Sequence, residues 1–580
     1  MDSHSMHGMD MGGSMSPSRS TNMRLARNYW YIIAALTGVW TAIRVQRAWE
    51  RRRRRRHLRL HPMSIASRPH GLLSQVIATI TAIARESTYS QPLFFTGPVA
   101  KHFTPLSVGK WTLLAAYWIL LLSFLFSGTI LTPSSSEFAY RWEKPGYRAA
   151  WVSIAQIPLI YLLSCKFNPI TLLTGISYER FNWLHRWTAR TVFLTVIVHW
   201  ANFFAQWYFA DFVQVELKMM PMVKYGFGAW AVLGWIVFSG AGFFRKSCYE
   251  LFVLQHITAA AILLWLLYVH IPEYAHYHLW MAIAFVVFDW AARLVWMILR
   301  NTHALSGFHL RSPGYSARLE QLPGDVVRLT IDDADFRWRA GQHMYISFPR
   351  LGPFELHPFT IANAPSPQPI STQPLTMLIQ AQTGFSRRLF HAAAQPLRLY
   401  RALLSGPFGV PPHLDHYDTV VLIACSTGIS FILPLLQTLV RSPGAARRIH
   451  FHWILRSESH LQWMAADLAS TTATATTLHV KLTAHITRPS SPPASLSSSP
   501  SRTAKSSDSP LPISFGRPSP AALIRPPVEA ARGESAIVVC GGASIIAQTR
   551  TFVAALSDER AVHKGTGAQG VFWFGECFGL

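Results

Sequence analysis

His185 and His199 lie fourteen residues apart in one apolar run, and His256 and His270 lie fourteen apart in another. On an α-helix that spacing is about 21 Å along the axis and about 40° from a common face. Each run therefore offers two imidazoles on one stripe, at two depths. Neutral imidazole is an axial ligand of haem iron, and ionisable side chains inside an apolar span are costly enough to mark a site. The arrangement fits two haems, each held by one imidazole from each helix: His185 with His256, and His199 with His270. The plain alternative is a chance repeat among 25 histidines, and two equal spacings on helices of equal direction weigh against it. Arg186 and Arg190, one turn apart beside His185, are candidates to pair with haem propionates. A cation reaching for the headgroups explains Arg186 equally well, and Arg190 lies deeper.

Such histidines need a bundle that spans a membrane. Half of the 580 residues are hydrophobic and only 14% are charged, with a mean hydropathy of +0.20. That is too apolar for an ordinary soluble protein or a disordered chain. Apolar runs occur at roughly 28–43, 111–131, 149–167, 187–208, 228–244, 251–270 and 279–299, most of them near the ~20 residues a spanning helix needs. About seven spans are expected, the first being the shortest, with a buried soluble helix as its alternative. The first 27 residues hold no apolar stretch of signal-peptide type. The 53 Lys+Arg against 28 Asp+Glu give a net charge of +25. Much of that excess sits in Arg51 to Arg56 with Arg44, Arg47 and Arg59, beside an apolar run. It reads as a cytoplasmic flank on anionic lipid rather than a nucleic-acid surface. Positive charge then places the N-terminus outside and everything after Arg300 inside. Cys165, Cys248, Cys425, Cys540 and Cys577 are scattered with no CxxC pair, which argues against a disulfide framework or thiolate zinc site.

Beyond residue 300 the pattern changes. Val326 to Ile331 and Met344 to Phe348 alternate like strands. From Asp418, apolar strand-like runs (420–424, 449–455, 536–540, 571–574) alternate with helical stretches. That order predicts a β-barrel-like domain and then a parallel α/β domain. Residues 488–530, mostly Ser and Pro, read as a disordered insertion.

Phe181-Asn182-Trp183-Leu184-His185-Arg186-Trp187 and Tyr249-Glu250-Leu251-Phe252-Val253-Leu254-Gln255-His256 resemble the haem helices of the fungal ferric-chelate reductases. These belong to a superfamily that includes the superoxide-generating NADPH oxidases. The resemblance runs from about residue 110 to the C-terminus. It implies an α-helical membrane domain with a bis-haem, four-histidine core and a cytosolic ferredoxin-reductase-like module that binds FAD and NADPH. The implied layout is an extracellular Met/His-rich tail (1–27), a first span with a basic cytoplasmic loop (28–110) and the haem-binding domain (111–300). An FAD-binding barrel (301–412) and an NADPH-binding α/β domain (413–580) follow.

The tail carries the matching motifs. His357-Pro358-Phe359-Thr360, after Ala340-Gly341-Gln342-His343-Met344-Tyr345, is similar to the family's flavin motif. Gly384-Phe385-Ser386-Arg387 sits where the family holds the flavin pyrophosphate, at a helix N-terminus that favours anions; an ordinary turn before a helix is the alternative. Gly406-Pro407-Phe408-Gly409 matches the glycine-proline turn at the domain junction. Cys425-Ser426-Thr427-Gly428 is a small-residue loop from strand to helix, as pyrophosphate approach requires, though relatives carry more glycine there. Cys540-Gly541-Gly542 resembles the nicotinamide-side motif, with Gly542 where proline is usual. Phe578 stands for the family's flavin-shielding aromatic, although here Leu580 is last. Cys425, Cys540 and Cys577, each taken alone, are better explained as small core residues. Arg456 is a candidate for the NADPH 2′-phosphate or an ordinary exposed arginine.

The implied activity is electron transfer from cytosolic NADPH through FAD and two b-type haems to extracellular ferric or cupric chelates, at the plasma membrane, with an iron or copper permease as partner. A superoxide-producing oxidase and a degenerate non-enzymatic relative are the alternatives. Met1, His4, Met6, His7, Met9, Met11 and Met15 resemble the Met/His tails of copper transporters, thioether and imidazole being suited to copper; a plain disordered start is the alternative. His276 and His278, after His270, are further candidates to hold metal near the outer haem.

Overall fold

The computed structural model describes the chain apart from residues 1–16, 62–63, 66–68, 70, 94, 96–104, 248, 306–311, 354, 369–371, 396–397, 476–477, 489–510, 559–569 and 578–580. The Met/His-rich stretch to Met15 and Phe578 lie outside the described residues. The principal helices are α1 (Pro17–Leu60), α2 (Leu72–Tyr89), α3 (Val108–Phe126), α4 (Glu143–Ser164), α5 (Asn182–Phe209), α6 (Pro221–Ser239), α7 (Tyr249–His270) and α8 (Tyr277–Asn301). Further on come α9 (Phe385–Ala392), α10 (Ile429–Arg441), α11 (Pro520–Glu529) and α12 (Ala543–Leu556). Two compact units form: residues 1–42 with 114–289, and residues 43–113 with 290–580.

The first unit is a helical bundle. Among the described residues, five helices are long and apolar enough to cross a membrane: Val108–Phe126, Tyr178–Phe209 (which contains α5), Pro221–Ser239, Tyr249–His270 and Tyr277–Asn301. The other two of the seven expected runs lie in helices that do not meet that measure of length and apolar composition. The run at 28–43 is the middle of the 44-residue α1, which ends in arginines. The run at 149–167 belongs to α4, whose sequence carries Glu143, Lys144, Arg148 and Gln156. Helix α4 is the buried member of the bundle, with Ala149 and Gln156 fully covered, so its polar groups have protein partners instead of lipid. Arg148 donates to Asn22 Oδ1 and to the carbonyls of Phe124 and Ser127. Gln156 Oε1 accepts from Tyr117 Oη at 2.6 Å, and the Ser153 and Thr195 hydroxyls meet at 2.7 Å. Buried polar side chains hydrogen-bonded in this way are tolerated where unpaired ones are not.

The second unit holds two sheets. Strands β1 (Tyr315–Leu322), β2 (Val326–Ala334), β3 (His343–Ser347), β4 (His357–Thr360), β5 (Gln373–Gln380) and β6 (Leu399–Phe408) pair in the order β4-β3-β6-β1-β2-β5. A bridge between Ile361 and Met377 joins the two ends and closes the sheet into a barrel, as expected. Its interior alternates along the strands: Ala317, Leu319, Leu329, Ile331, Met344 and Ile346 are fully buried. Asn301, at the end of α8, bonds both backbone groups of Leu404 (2.8 and 2.9 Å). His303 meets Asp335 at 2.7 Å in a buried pair.

Strands β7 (Thr419–Cys425), β8 (Arg448–Leu455), β9 (His479–Ile486), β10 (Ile513–Phe515), β11 (Ser535–Gly541) and β12 (Val571–Cys577) form a parallel sheet ordered β10-β9-β8-β7-β11-β12. The reading of 488–530 as disordered is corrected here, because its second half is β10 and α11. Leu523, Ile524 and Val528 of α11 are buried against the sheet, apolar positions that the surrounding Ser and Pro hid.

The arginine run differs most from expectation. Arg54 makes two bonds to the Glu534 carboxylate (2.8 and 3.3 Å) and one to the His416 carbonyl, and Arg55 pairs with Asp415. Part of the basic tract therefore grips the parallel-sheet domain rather than lipid. Burial works to raise the Glu534 carboxyl, but Arg54 and its bonds outweigh it and hold the pKa below the usual carboxylate value. This stabilisation is present above the unfolded carboxylate pKa of about 4.3 and is lost as pH falls through the folded value. Removing one partner strands a largely buried charge, so Arg54→Ala should cost about 3 kcal/mol. Thermal unfolding should show it as a drop of several degrees that shrinks only once the pH is taken well below the ordinary carboxylate range.

Candidate functional site

The bundle brings the four histidines together in two pairs. The rings of His185 and His256 are 6.3 Å apart between centroids, inclined at 61°. Those of His199 and His270 are also 6.3 Å apart, at 66°. A nitrogen–metal bond of about 2.0 Å, with the nitrogen about 1.1 Å from its ring centroid, sets two imidazoles on opposite sides of one ion about 6 Å apart. Both pairs meet that spacing. Helices α5 and α7 run in the same direction, so equal offsets in sequence become equal depths.

The rings are aimed by backbone carbonyls. His185 Nδ1 donates to the Ile160 carbonyl at 2.8 Å. His199 Nδ1 donates to Gly146 at 2.9 Å, and His270 Nδ1 to Met222 at 2.8 Å. A donating Nδ1 fixes the tautomer and leaves Nε2 with its lone pair, the form a metal needs. His256 Nδ1 is buried without a hydrogen-bond partner among the described residues. Room for the His270 ring comes from Gly226, where a Cβ would lie 2.5 Å from the His270 Cε1. Gly146 is needed likewise, since its Cβ would fall 2.9 Å from the Phe203 ring. Three oriented imidazoles, one orphaned ring nitrogen and a glycine that makes room for a ring fit a haem-type iron at each level.

Sequence reasoning named the histidines and missed Gly226, Gly146 and the carbonyls. Glycine inside an apolar helix is a signal of close approach, but nothing in the chain says what approaches. Arg190 lies over the Trp187 ring, 5.0 Å from its centroid. His276 stacks on Tyr268 at 4.4 Å and bonds the Tyr268 and Ile271 carbonyls. His278, in the first turn of α8, is fully buried.

In the barrel, His357-Pro358-Phe359-Thr360 is β4 itself, paired antiparallel with β3. Pro358 is tolerated because this strand lies at the end of the paired order. The His357 ring stacks on Phe385 at 4.4 Å and 21°, so β4 and the start of α9 meet. Gly384 has φ +62 and no side-chain cap follows it, which leaves the first N–H groups of α9 open to an anion. Ser386 Oγ accepts from Gln382 N at 2.9 Å, and Arg387 is tied to the Gln382 carbonyl and to Asp325 at 3.3 Å. At the junction, Gly406 (φ +130) and Gly409 (φ +96) pass within 3.0 Å of Met344 Sδ and 3.3 Å of His343 Nδ1 by their would-be Cβ atoms. Trp296 Nε1 donates to the Gly406 carbonyl at 2.8 Å.

The parallel sheet reverses its order between β7 and β11, the topological switch where ligands bind beyond the carboxyl ends of strands. Cys425, Ser426, Thr427 and Gly428 form that turn after β7, and Cys540 with Gly541 ends β11 beside it. A Cβ on Gly541 would lie 3.0 Å from Cys425 Sγ and 2.8 Å from Ile545, so glycine keeps the cleft open. Arg456 directly follows β8 at the same edge. Burial pushes the Cys425 thiol up to about 11 and Cys540 well above the ordinary value. At pH 7.5 both should resist iodoacetamide in the folded chain and react in denaturant, which peptide mass mapping would read.

Three family models match in succession: a ferric reductase like transmembrane component over residues 149–267, an FAD-binding domain over 313–412 and a ferric reductase NAD binding domain over 417–554. A probable cell surface ferric reductase of Aspergillus oryzae is 28% identical over 341 residues, 55% of this chain and 44% of that protein. The ferric/cupric reductase transmembrane component 7 of Saccharomyces cerevisiae is 26% identical over 337 residues, 56% and 52% of the two chains. The match thus spans about half the length of these relatives. A flavohemoglobin from Malassezia yamatoensis covers 87% of this chain and 97% of its own at 14% identity and a TM-score of 0.34, too slight a likeness to assign a fold. The family models together take in more than half of the sequence, span the bundle, the barrel and the parallel sheet in order, and supply FAD- and NAD(P)-binding domains. The chain belongs to the ferric reductase transmembrane component family, with a helical membrane region followed by an FAD-binding domain and a ferric reductase NAD binding domain.

Proposed function

We propose that this chain carries electrons from cytosolic NADPH, through FAD and two b-type haems, to ferric or cupric complexes outside the cell. The observation that carries this reading is the pair of imidazole pairs, both with centroids 6.3 Å apart. His185 and His256 would hold the inner haem iron, and His199 and His270 the outer one. Flavin when bound accepts a hydride's two electrons, and haem iron relays electrons singly. Everything else falls to positioning by the protein. The carbonyls of Ile160, Gly146 and Met222 hold three ligand rings in one tautomer, and Gly226 leaves room for the His270 ring at the outer level. β4 and the N-terminus of α9, with Gly384, Ser386 and Arg387, would receive the flavin and its pyrophosphate. The turn Ser426-Thr427-Gly428, with Cys540 and Gly541, would receive the nicotinamide nucleotide. No side chain is required as a base or nucleophile. We place the domain boundaries near residues 110, 300 and 412, the flavin module in the cytosol and the protein in the plasma membrane, beside an iron or copper permease.

The overall reaction balances as one NADPH and two ferric ions giving NADP⁺, a proton and two ferrous ions. Anaerobic turnover in nanodiscs should therefore reduce two ferric or cupric chelates per NADPH oxidised. A chain that ignores both chelates yet turns NADPH and oxygen into superoxide is an oxidase instead, and the reading fails.

A further inference from the structure

The segment between α1 and α3 carries two opposed faces. On its inner side, Arg54 and Arg55 hold Glu534 and Asp415. Helix α2 packs on the same domain: Gln91 N donates to Thr551 Oγ1 at 3.1 Å, and Thr551 Oγ1 donates back to the Gln91 carbonyl. Tyr89 meets Trp573 at 6.4 Å, and Arg85 lies over Phe572.

The outer side is different. Leu72, Leu73, Val76, Ile80 and Ile83 of α2 are exposed, Leu72 at 80% and Ile80 at 62%. Their spacing puts them on one stripe of the helix. On the last turns of α1, Val45, Trp49, Arg52, Arg53, Arg56, Arg59 and Leu60 are exposed and share a stripe opposite Arg54. Between Glu50 and Glu86 the sequence holds nine arginines and no carboxylate. An apolar stripe beside a purely cationic one complements a membrane surface bearing anionic headgroups. The chain's course agrees with this, since α3, apolar enough to span, begins at Val108 after α2 ends at Tyr89.

We propose that α2 is an interfacial helix that lies in an anionic phospholipid surface. It is flanked there by the outer arginines of α1, and the segment clamps the nucleotide-binding domain to that surface through Arg54 and Arg55. One stretch of basic sequence thus serves two partners, carboxylates of its own chain on one face and lipid phosphates on the other.

The test uses the full chain in nanodiscs of phosphatidylcholine alone or with one-third phosphatidylserine. A benzophenone amino acid replaces Ile80 or, as an inner-face control, Ser74, and light-induced adducts are identified by mass. The Ile80 probe should give lipid adducts several-fold above the Ser74 probe, and phosphatidylserine should raise them about threefold. Arg52→Gln/Arg53→Gln/Arg56→Gln/Arg59→Gln should abolish that rise, with flavin content reporting that the module remains folded. Lipid adducts at Ile80 no more frequent than at Ser74, or adducts to a protein instead, would overturn the proposal. Persistence of the phosphatidylserine effect in the arginine variant would overturn the part assigned to the arginines.

Discussion

Alanine at His256 should leave one haem per chain instead of two and take NADPH-driven metal reduction to background. His256 and His185 face each other across 6.3 Å, and a low-spin site needs both rings. The order of the relay makes the two levels separable. With the inner site gone, NADPH should reduce neither the remaining haem nor the metal, while dithionite still reduces that haem. With His270→Ala the inner haem should still be reduced by NADPH and only the metal should go unreduced. Haem content by the pyridine haemochrome and anaerobic visible spectra of the two variants decide this. Equal behaviour of the pair would refute the assignment of an inner and an outer level.

Valine at Gly226 should cost the outer haem although no ligand is removed. By helix propensity alone, replacing a glycine inside a helix by valine stabilises by about 0.4 kcal/mol. Here the first added carbon would sit 2.5 Å from His270 Cε1 and 2.8 Å from its Nδ1. The ring must turn, losing the Met222 carbonyl that aims it. Disturbing the support of a metal ligand costs about 10- to 100-fold in affinity or activity, and loss of the ring position itself lies at the upper end. Gly228, two residues on, is the control. Its added carbon would meet Leu266 at an ordinary 3.5 Å, so Gly228→Ala should retain two haems and near-normal turnover.

The histidine pairs were legible in the sequence because a helix converts spacing into depth and face, and two parallel helices with one spacing must match levels. The two sheets were legible for a similar reason, through alternating and then continuous apolar runs. What aims the histidines was not legible. The Ile160, Gly146 and Met222 carbonyls come from helices packed against α5 and α7, and no local pattern in those stretches names a distant ring. Helix α4 carries Arg148 and Gln156 because a helix enclosed by others finds partners for them, so apolarity measures lipid exposure more than membrane depth. The arginine tract misled charge counting. Arg54 and Arg52 are two residues apart in sequence and face opposite sides of α1, one toward Glu534 and the other outward.

The most direct measurement is the visible spectrum of the purified chain in nanodiscs as NADPH is added without oxygen, with haem counted per chain. Two b-type haems, both reduced by NADPH and both reoxidised on adding ferric or cupric chelate, are what the paired histidines predict. A single haem, or two that dithionite reduces and NADPH does not, would contradict a relay that runs from the flavin module through His185 and His256 to His199 and His270.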